Sequence, residues 1–318
     1  MSEATSLPAP VVAVVVPTHD RQALVAGLLK ALAAQSLEPL SFEVVLACDG
    51  CTDDTAEAAM KLVEPGAAAA GLLLTVVEQS RSGAAAARNR GMGATTAPVV
   101  VFLDDDMVPE PGCLEAHVRA HRAHPGALVI GAMPVHASSP RSFLTEGLSR
   151  WATRRHERLS RTAPTFGDVL TGHLSVARAT FGKVGGFDQD FTAGGTFGGE
   201  DIEFGWRAVA AGVPLVYAPD AVAGQVYVKT FRALAKDIRE GTLADAALAA
   251  KHPEAPVETA GGPAFSLGRS APRLGRLVEA PLVALLDRAA RRGATGGVWE
   301  SLHAAARNVI AGRALSGR

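Results

Sequence analysis

Asp104, Asp105 and Asp106 stand in a row at the end of an apolar run, Pro98 to Leu103. Three adjacent carboxylates repel one another and resist desolvation, so a cation or a helix N-terminus must compensate them. A hard divalent ion, held by one or two carboxylates and completed by substrate phosphates, suits such a place. The plainer alternative is an acidic loop that caps a helix beginning near Pro111. A second acidic pair, Glu200-Asp201, follows Gly194, Gly195, Gly198 and Gly199 and opens a helical pattern. Acidic residues are favoured at a helix N-terminus in any case. Cys48-Asp49-Gly50-Cys51 has redox spacing but no second pair, since Cys113 is distant. Small buried thiols in a loop are the simpler account.

The elements that must position these residues alternate along the first half. Residues 11–16 predict a strand, and 21–34 an amphipathic helix with Leu24, Val25, Leu28, Leu29 and Leu32 on one face. A strand at 43–47, a helix at 53–63 and a strand at 72–77 follow. Residues 82–94 predict a helix rich in glycine and alanine, and 99–103 the strand tipped by the carboxylates. The order argues for an α/β fold, a mostly parallel sheet with helices on both faces. In such sheets ligands bind beyond the carboxyl ends of the strands. After Pro111 the pattern is mixed, with strands at 127–135, 169–177, 213–217 and 221–228 and a basic, partly helical stretch at 141–161. Beyond Thr230 it reads as helices, interrupted by a Pro/Gly/Ala linker at 253–263.

Taken together, the segments from about 11 to 250 resemble the family 2 glycosyltransferases of GT-A fold. The resemblance rests on six short motifs in the family's order. They are Val14 to Arg21, Cys48 to Asp53, Ala87 to Gly91, Phe102 to Asp106, Val184 to Asp188, and Gly198-Gly199-Glu200-Asp201. Each alone is weak; in register they are specific. The organisation expected is an N-terminal tail over 1–10, a GT-A domain of mixed sheet and flanking helices over 11–230, and a helical extension over 231–318.

The resemblance implies a metal-dependent, inverting transfer of sugar from a nucleoside diphosphate donor, a UDP-sugar, to an acceptor hydroxyl. Pro17, Thr18 and Asp20 would border the nucleotide. Asp49 would accept from the base N–H, or else make a simple Asx turn before Gly50. Arg88 would steady the pyrophosphate, or pair with a carboxylate at the core edge. Asp106 would ligate Mg²⁺ or Mn²⁺, Asp104 would hold the ribose or reach the ion through water, and Asp105 would border the donor or face away to cap the turn. Asp201 would act as the base, with Glu200 positioning the acceptor or shaping the loop and Gly199 lying on the acceptor side. Trp206 would stack on sugar or lie in the core.

Four departures from the family pattern matter. Gln225 stands where many relatives carry a metal-binding histidine. His173 occupies a slot usually held by Asn, and would touch the acceptor, complete the metal shell, or sit satisfied in its strand. Cys48 and Cys51 flank Asp49 in place of an acidic residue and a serine. Asp20 stands where Asn is common.

Composition excludes other classes. A net charge of -1, from 31 basic and 32 acidic residues, gives no field for nucleic acid. No run approaches the roughly 18 apolar residues of a membrane-spanning helix. No basic region precedes the first apolar stretch, so a cytoplasmic compartment is expected. From Arg269 onward the arginines outnumber the acids, and residues 274–290 are amphipathic with Pro281 expected to kink or restart the helix. Those helices either pack on their own domain or meet an anionic membrane face. A nucleotidyltransferase would want a Gly-rich phosphate loop after the first strand, which Pro17 to Arg21 is not. A catalytically silent carbohydrate- or nucleotide-binding relative would have no need of Asp104, Asp106 and Asp201 together.

Overall fold

Alternate residues of the first strand feed opposite cores. Val12, Val14 and Val16 pack with the helices on one side of the sheet, while Ala13 and Val15 pack on the other. A strand buried on both faces has no polar alternation, which is why its sequence is one apolar run. The computed structural model describes residues 10–37, 41–257 and 269–317. The expected N-terminal tail, but for residue 10, and the later part of the 253–263 linker lie outside the described residues.

The chain runs β1 (Val12–Thr18), α1 (Gln22–Ala33), β2 (Phe42–Asp49), α2 (Thr55–Leu62), β3 (Leu73–Gln79), α3 (Ala84–Gly93) and β4 (Val99–Leu103). It continues through β5 (Met107–Pro109), α4 (Cys113–Ala123), β6 (Leu128–Ala132), α5 (Phe143–Leu159), β7 (His173–Ala177), α6 (Arg178–Val184), α7 (Glu200–Ala210) and β8 (Leu215–Gln225). Three helices follow: α8 (Phe231–Lys251), α9 (Pro272–Arg291) and α10 (Gly297–Ala314). The sheet order is β3-β2-β1-β4-β7-β6-β8-β5. The first four strands are parallel, β7 is antiparallel to both β4 and β6, and β8 runs parallel to β6. The sheet is therefore mixed, with its parallel half at the N-terminal side.

Two segments differ from the sequence expectation. The strands expected at 213–217 and 221–228 are one strand, β8, whose register against β6 jumps from Gly131↔Ala218 to Ala132↔Val222. The exposed Pro219-Asp220 pair falls in that bulge, where a proline costs no ladder hydrogen bond. Pro281 does not end α9, which runs through it. The carbonyl it deprives of a partner is that of Leu277, a residue 74% exposed, so water can replace the lost bond.

The chain divides into two compact units, one of residues 1–136, 155–195 and 200–226, the other of 137–154, 196–199 and 227–318. The first carries the sheet and its two cores. The second has a core of Phe143, Phe231, Leu286, Ala306 and Ile310, with Phe143 stacked on Trp299 at 6.4 Å. Its buried Glu279 accepts from both Arg239 and Arg313. No helix among the described residues is long and apolar enough to cross a membrane.

Candidate active site

Because β1, β2 and β4 are parallel, Thr18, Asp49 and Asp104 finish at the same edge of the sheet. β7 runs the other way, so its start, His173, pairs with Leu103 at that edge. The three carboxylates after β4 then separate into three environments.

Asp105 is buried and anchors the tip. Its Oδ2 accepts from Thr18 Oγ1 at 2.7 Å and its Oδ1 from Arg21 Nη1 at 3.0 Å. Burial raises its pKa, and Arg21 and Thr18 oppose that rise without cancelling it. Asp105 thus faces inward rather than toward a donor. Asp106 is mostly buried as well. Its Oδ2 accepts from Gln225 Nε2 at 3.2 Å and lies 3.9 Å from Arg21 Nη1, while its Oδ1 is buried with no hydrogen-bond partner. Burial, then the charges of Asp104 and Asp105, push its carboxyl up to about 7. Asp104 is the accessible member, its side chain 38% exposed.

Arg88 is 4% exposed and spends its fork on the protein. Nη2 donates to Asp104 Oδ1 and Nη1 to Glu200 Oε1, each at 2.7 Å. Burial works against the cation, yet Asp104 and Glu200 raise its pKa above the ordinary arginine value. Of the two expectations for Arg88, pairing with a carboxylate is the one the structure realises. It joins the β4 tip to the first turn of α7. The close seating of α3 that puts it there depends on Gly91, where a Cβ would come within 2.4 Å of Val15 Cγ1.

Glu200 is buried, and its Oε2 has no hydrogen-bond partner. Asp201 is half-buried beside it, its Oδ1 accepting from the Ile202 backbone N–H at 2.8 Å. Burial and the neighbouring Glu200 charge push Asp201 up to about 7. A carboxyl poised near neutrality is suited to taking a proton.

Asp49, expected either to meet a base or to serve a local turn, accepts three hydrogen bonds from the protein. Its Oδ1 accepts from Gln79 Nε2 at 2.8 Å and Ser82 N at 2.7 Å, and its Oδ2 from Gly83 N at 2.8 Å. It is 6% exposed and serves the entry to α3. Thr192 Oγ1 completes that entry by accepting from Ala85 N at 3.0 Å. Asp20 adopts φ +51, a left-handed backbone that Asn and Asp tolerate best, which accounts for Asp where Asn is common. Its carboxylate accepts from Thr52 N at 2.6 Å and Asp53 N at 3.2 Å. Pro17 is buried in β1. Trp206 is partly buried, edge-on to Phe166 at 5.3 Å. Gly199, at φ +96, belongs to the segment that groups with the second unit.

Of the alternatives for His173, the structure shows a satisfied strand residue. It is fully buried, and its ring nitrogens face Ala132, His117 and Cys113. Those partners do not include Asp106. Sequence reasoning passed over Arg21 as a site residue; the signal was a cation one residue beyond the loop that closes β1.

Five carboxylates at this edge, Asp104, Asp105, Asp106, Glu200 and Asp201, meet two guanidinium groups, Arg21 and Arg88. The partnerless, buried Oδ1 of Asp106 and this excess of negative charge fit a hard divalent ion.

Similarity to known proteins agrees with this geometry. The family model described as glycosyl transferase family 2 matches residues 13–182. Validoxylamine A glucosyltransferase of Streptomyces hygroscopicus subsp. limoneus is 31% identical over 236 residues, covering 67% of this chain and 51% of that protein. Pre-mycofactocin glycosyltransferase of Mycobacterium tuberculosis is 31% identical over 217 residues, covering 62% and 43%. The chain spans about half the length of these curated relatives. Among solved structures, the mannosyltransferase PcManGT from Pyrobaculum calidifontis, in complex with GDP-Man and Mn²⁺, superposes with a TM-score of 0.63 at 20% identity, covering 96% of this chain and 86% of that one. Residues 1–349 of S. aureus TarS give 0.58 at 16% identity, covering 96% and 90%. The fold is GT-A, and the chain belongs to glycosyl transferase family 2.

Proposed function

We propose that this chain transfers a sugar from a nucleoside diphosphate donor to an acceptor hydroxyl with inversion, assisted by Mg²⁺ or Mn²⁺. The observation that carries this reading is Asp106, whose buried Oδ1 lacks a partner at the shared end of β1, β2 and β4. Asp106 would hold the ion and Asp104 would face the donor. The ion, when bound, offsets charge developing on the leaving diphosphate. Thr18 and Arg21 fix the tip through Asp105, and Arg88 fixes Asp104 against Glu200. Asp201 takes the acceptor proton as the oxygen attacks the anomeric carbon. The names of the curated relatives, both sugar transferases, support the reaction class. With Asp49 committed to α3, a preference for uracil rests on the family resemblance, and a UDP-sugar is the first donor to test.

Nucleoside diphosphate release from a panel of UDP-, GDP- and dTDP-sugars is the direct assay. One donor is expected to turn over only with Mn²⁺ or Mg²⁺, and Asp106→Ala to lower its turnover at least about 100-fold. Metal-independent release, or release unchanged in Asp106→Ala, would defeat the assignment of the ion. Binding of nucleotide without turnover of any donor would instead favour a silent relative.

Gln225 is the weak point of the metal shell, since its amide donates to Asp106 Oδ2. Gln225→His places an imidazole there, a better ligand for Mn²⁺ than an amide. We expect Mn²⁺ to bind roughly 10-fold more tightly, read by calorimetric titration. An unchanged constant would show that residue 225 stays out of the shell.

A membrane contact is a separate part of this reading. On α9 Leu274, Leu277, Val278 and Leu285 are exposed on a helix that also carries Arg273, Arg276, Arg288 and Arg291, a composition suited to an anionic surface. Purified protein is expected to float with phosphatidylglycerol vesicles and not with phosphatidylcholine. Equal recovery from both would remove this contact.

A further inference from the structure

Outside the carboxylate tip, the interior gathers a second set of donor atoms. Cys113 and His117 stand four apart on α4 and so share a face, and His173 opens β7 opposite them. His173 Nε2 lies 2.9 Å from His117 Nε2 and 3.4 Å from Cys113 Sγ. All three side chains are fully buried. Their outer atoms are braced as metal-binding imidazoles are braced. His173 Nδ1 meets the Ala132 carbonyl at 3.1 Å, and His117 Nδ1 meets Ser175 Oγ at 2.8 Å. Ser175 Oγ in turn contacts His121 Nε2 at 2.8 Å.

Protons can satisfy the two rings, with His117 Nε2 donating to His173 Nε2, but they leave the Cys113 S–H without an acceptor of its own in the cluster. With Nδ1–H donated to Ala132, His173 Nε2 offers a single lone pair. The Cys113 S–H and the His117 Nε2–H would then compete for it. If His117 instead donates from Nδ1 to Ser175, two imidazole lone pairs face each other at 2.9 Å. A cation among the three atoms relieves both arrangements.

We propose that Cys113, His117 and His173 form a buried site for a soft or borderline transition-metal ion of the Zn²⁺ type, separate from the hard-cation site at Asp106. One thiolate and two imidazoles select such an ion over Mg²⁺ or Mn²⁺. Binding releases the Cys113 proton to solvent, so affinity rises with pH. The three protein donors leave a fourth tetrahedral position for water or a small anion. The ion ties α4 to β7 one residue from Gly172, whose carbonyl accepts from Asp104 N at 3.2 Å. It would stiffen the floor beneath the carboxylate tip.

The full chain, stripped by a chelator and returned to Zn²⁺ alone, is expected to keep one equivalent through gel filtration. Its melting temperature should rise on the order of 5 °C, and excess Mn²⁺ should not displace the ion. X-ray absorption at the zinc edge should show one sulfur near about 2.3 Å and imidazole nitrogens near about 2.0 Å. Co²⁺ in its place should give a thiolate charge-transfer band that disappears in Cys113→Ser and persists in Cys51→Ser. The second variant tests the other donor trio among the described residues, Asp20, Cys51 and Asp53. Should Cys113→Ser not fold, the wild-type zinc shell decides, because that trio can add one imidazole, that of His19 at 3.5 Å from Asp20 Oδ2, against two here. No retained ion, a shell with fewer than two imidazoles, or a band that follows Cys51 would overturn the proposal and leave a hydrogen-bonded core cluster.

Discussion

Asp201→Asn is expected to lower kcat about a thousandfold while leaving the donor KM within about twofold, the signature of a lost general base. Asparagine matches the shape of aspartate and can still accept from the Ile202 N–H, as Asp201 does at 2.8 Å. It cannot take a proton. The wild-type pH profile gives an independent check. Burial and Glu200 push Asp201 up to about 7, and the base must be ionised to act. Activity should therefore climb with pH, about tenfold per unit below that value, and level off above it. The variant should lack this limb. Turnover close to wild type in Asp201→Asn, with the rising limb intact, would place the base on another residue.

Arg88→Met is expected to be the most destabilising change at the site. Arg88 and Glu200 are 4% and 5% exposed and lie 2.7 Å apart. Removing one partner of such a pair leaves an uncompensated buried charge and costs about 3–5 kcal/mol. For a chain of this size that corresponds to a fall in melting temperature of about 5–8 °C. Because Asp104 loses the same guanidinium, donor turnover should fall as well. Arg88→Lys keeps the charge but not the two-armed fork, so it should recover only part of the loss. Adding Glu200→Gln to Arg88→Met should restore several degrees by removing the stranded charge. A melting temperature within about 2 °C of wild type for Arg88→Met would show that the bridge contributes little to stability.

These two residues mark the boundary between what local sequence carries and what it does not. That Glu200 and Asp201 open a helix was legible, because an acidic pair after a run of glycines is a local pattern. The role of Arg88 was open, because an arginine on an alanine-rich helix can face solvent, phosphate or a buried carboxylate with the same sequence. Its direction was settled when Gly91 let α3 sit close against Val15 and carried Arg88 beneath the β4 tip. Asp49 differs from its expectation for the same kind of reason. Its position at the end of β2 was readable, but its use depended on α3 presenting the Ser82 and Gly83 N–H groups to it. The three-residue β5 and the bulge that joins 213–217 to 221–228 in β8 carry too few residues for periodicity to register.

By itself, then, the sequence determined the alternating elements, the family and the carboxylates, since apolar period, turn chemistry and short motifs are properties of neighbouring residues. Only the tertiary structure decided which carboxylate is anchored, which is bridged and which keeps an oxygen without a hydrogen-bond partner. It also decided that His173 turns away from the cleft toward Cys113 and His117. Those outcomes depend on side chains from 16 to 119 positions apart, as in the Arg88–Asp104 and Gln225–Asp106 contacts. Each is fixed by which buried group reaches a partner first once the helices have packed on the sheet.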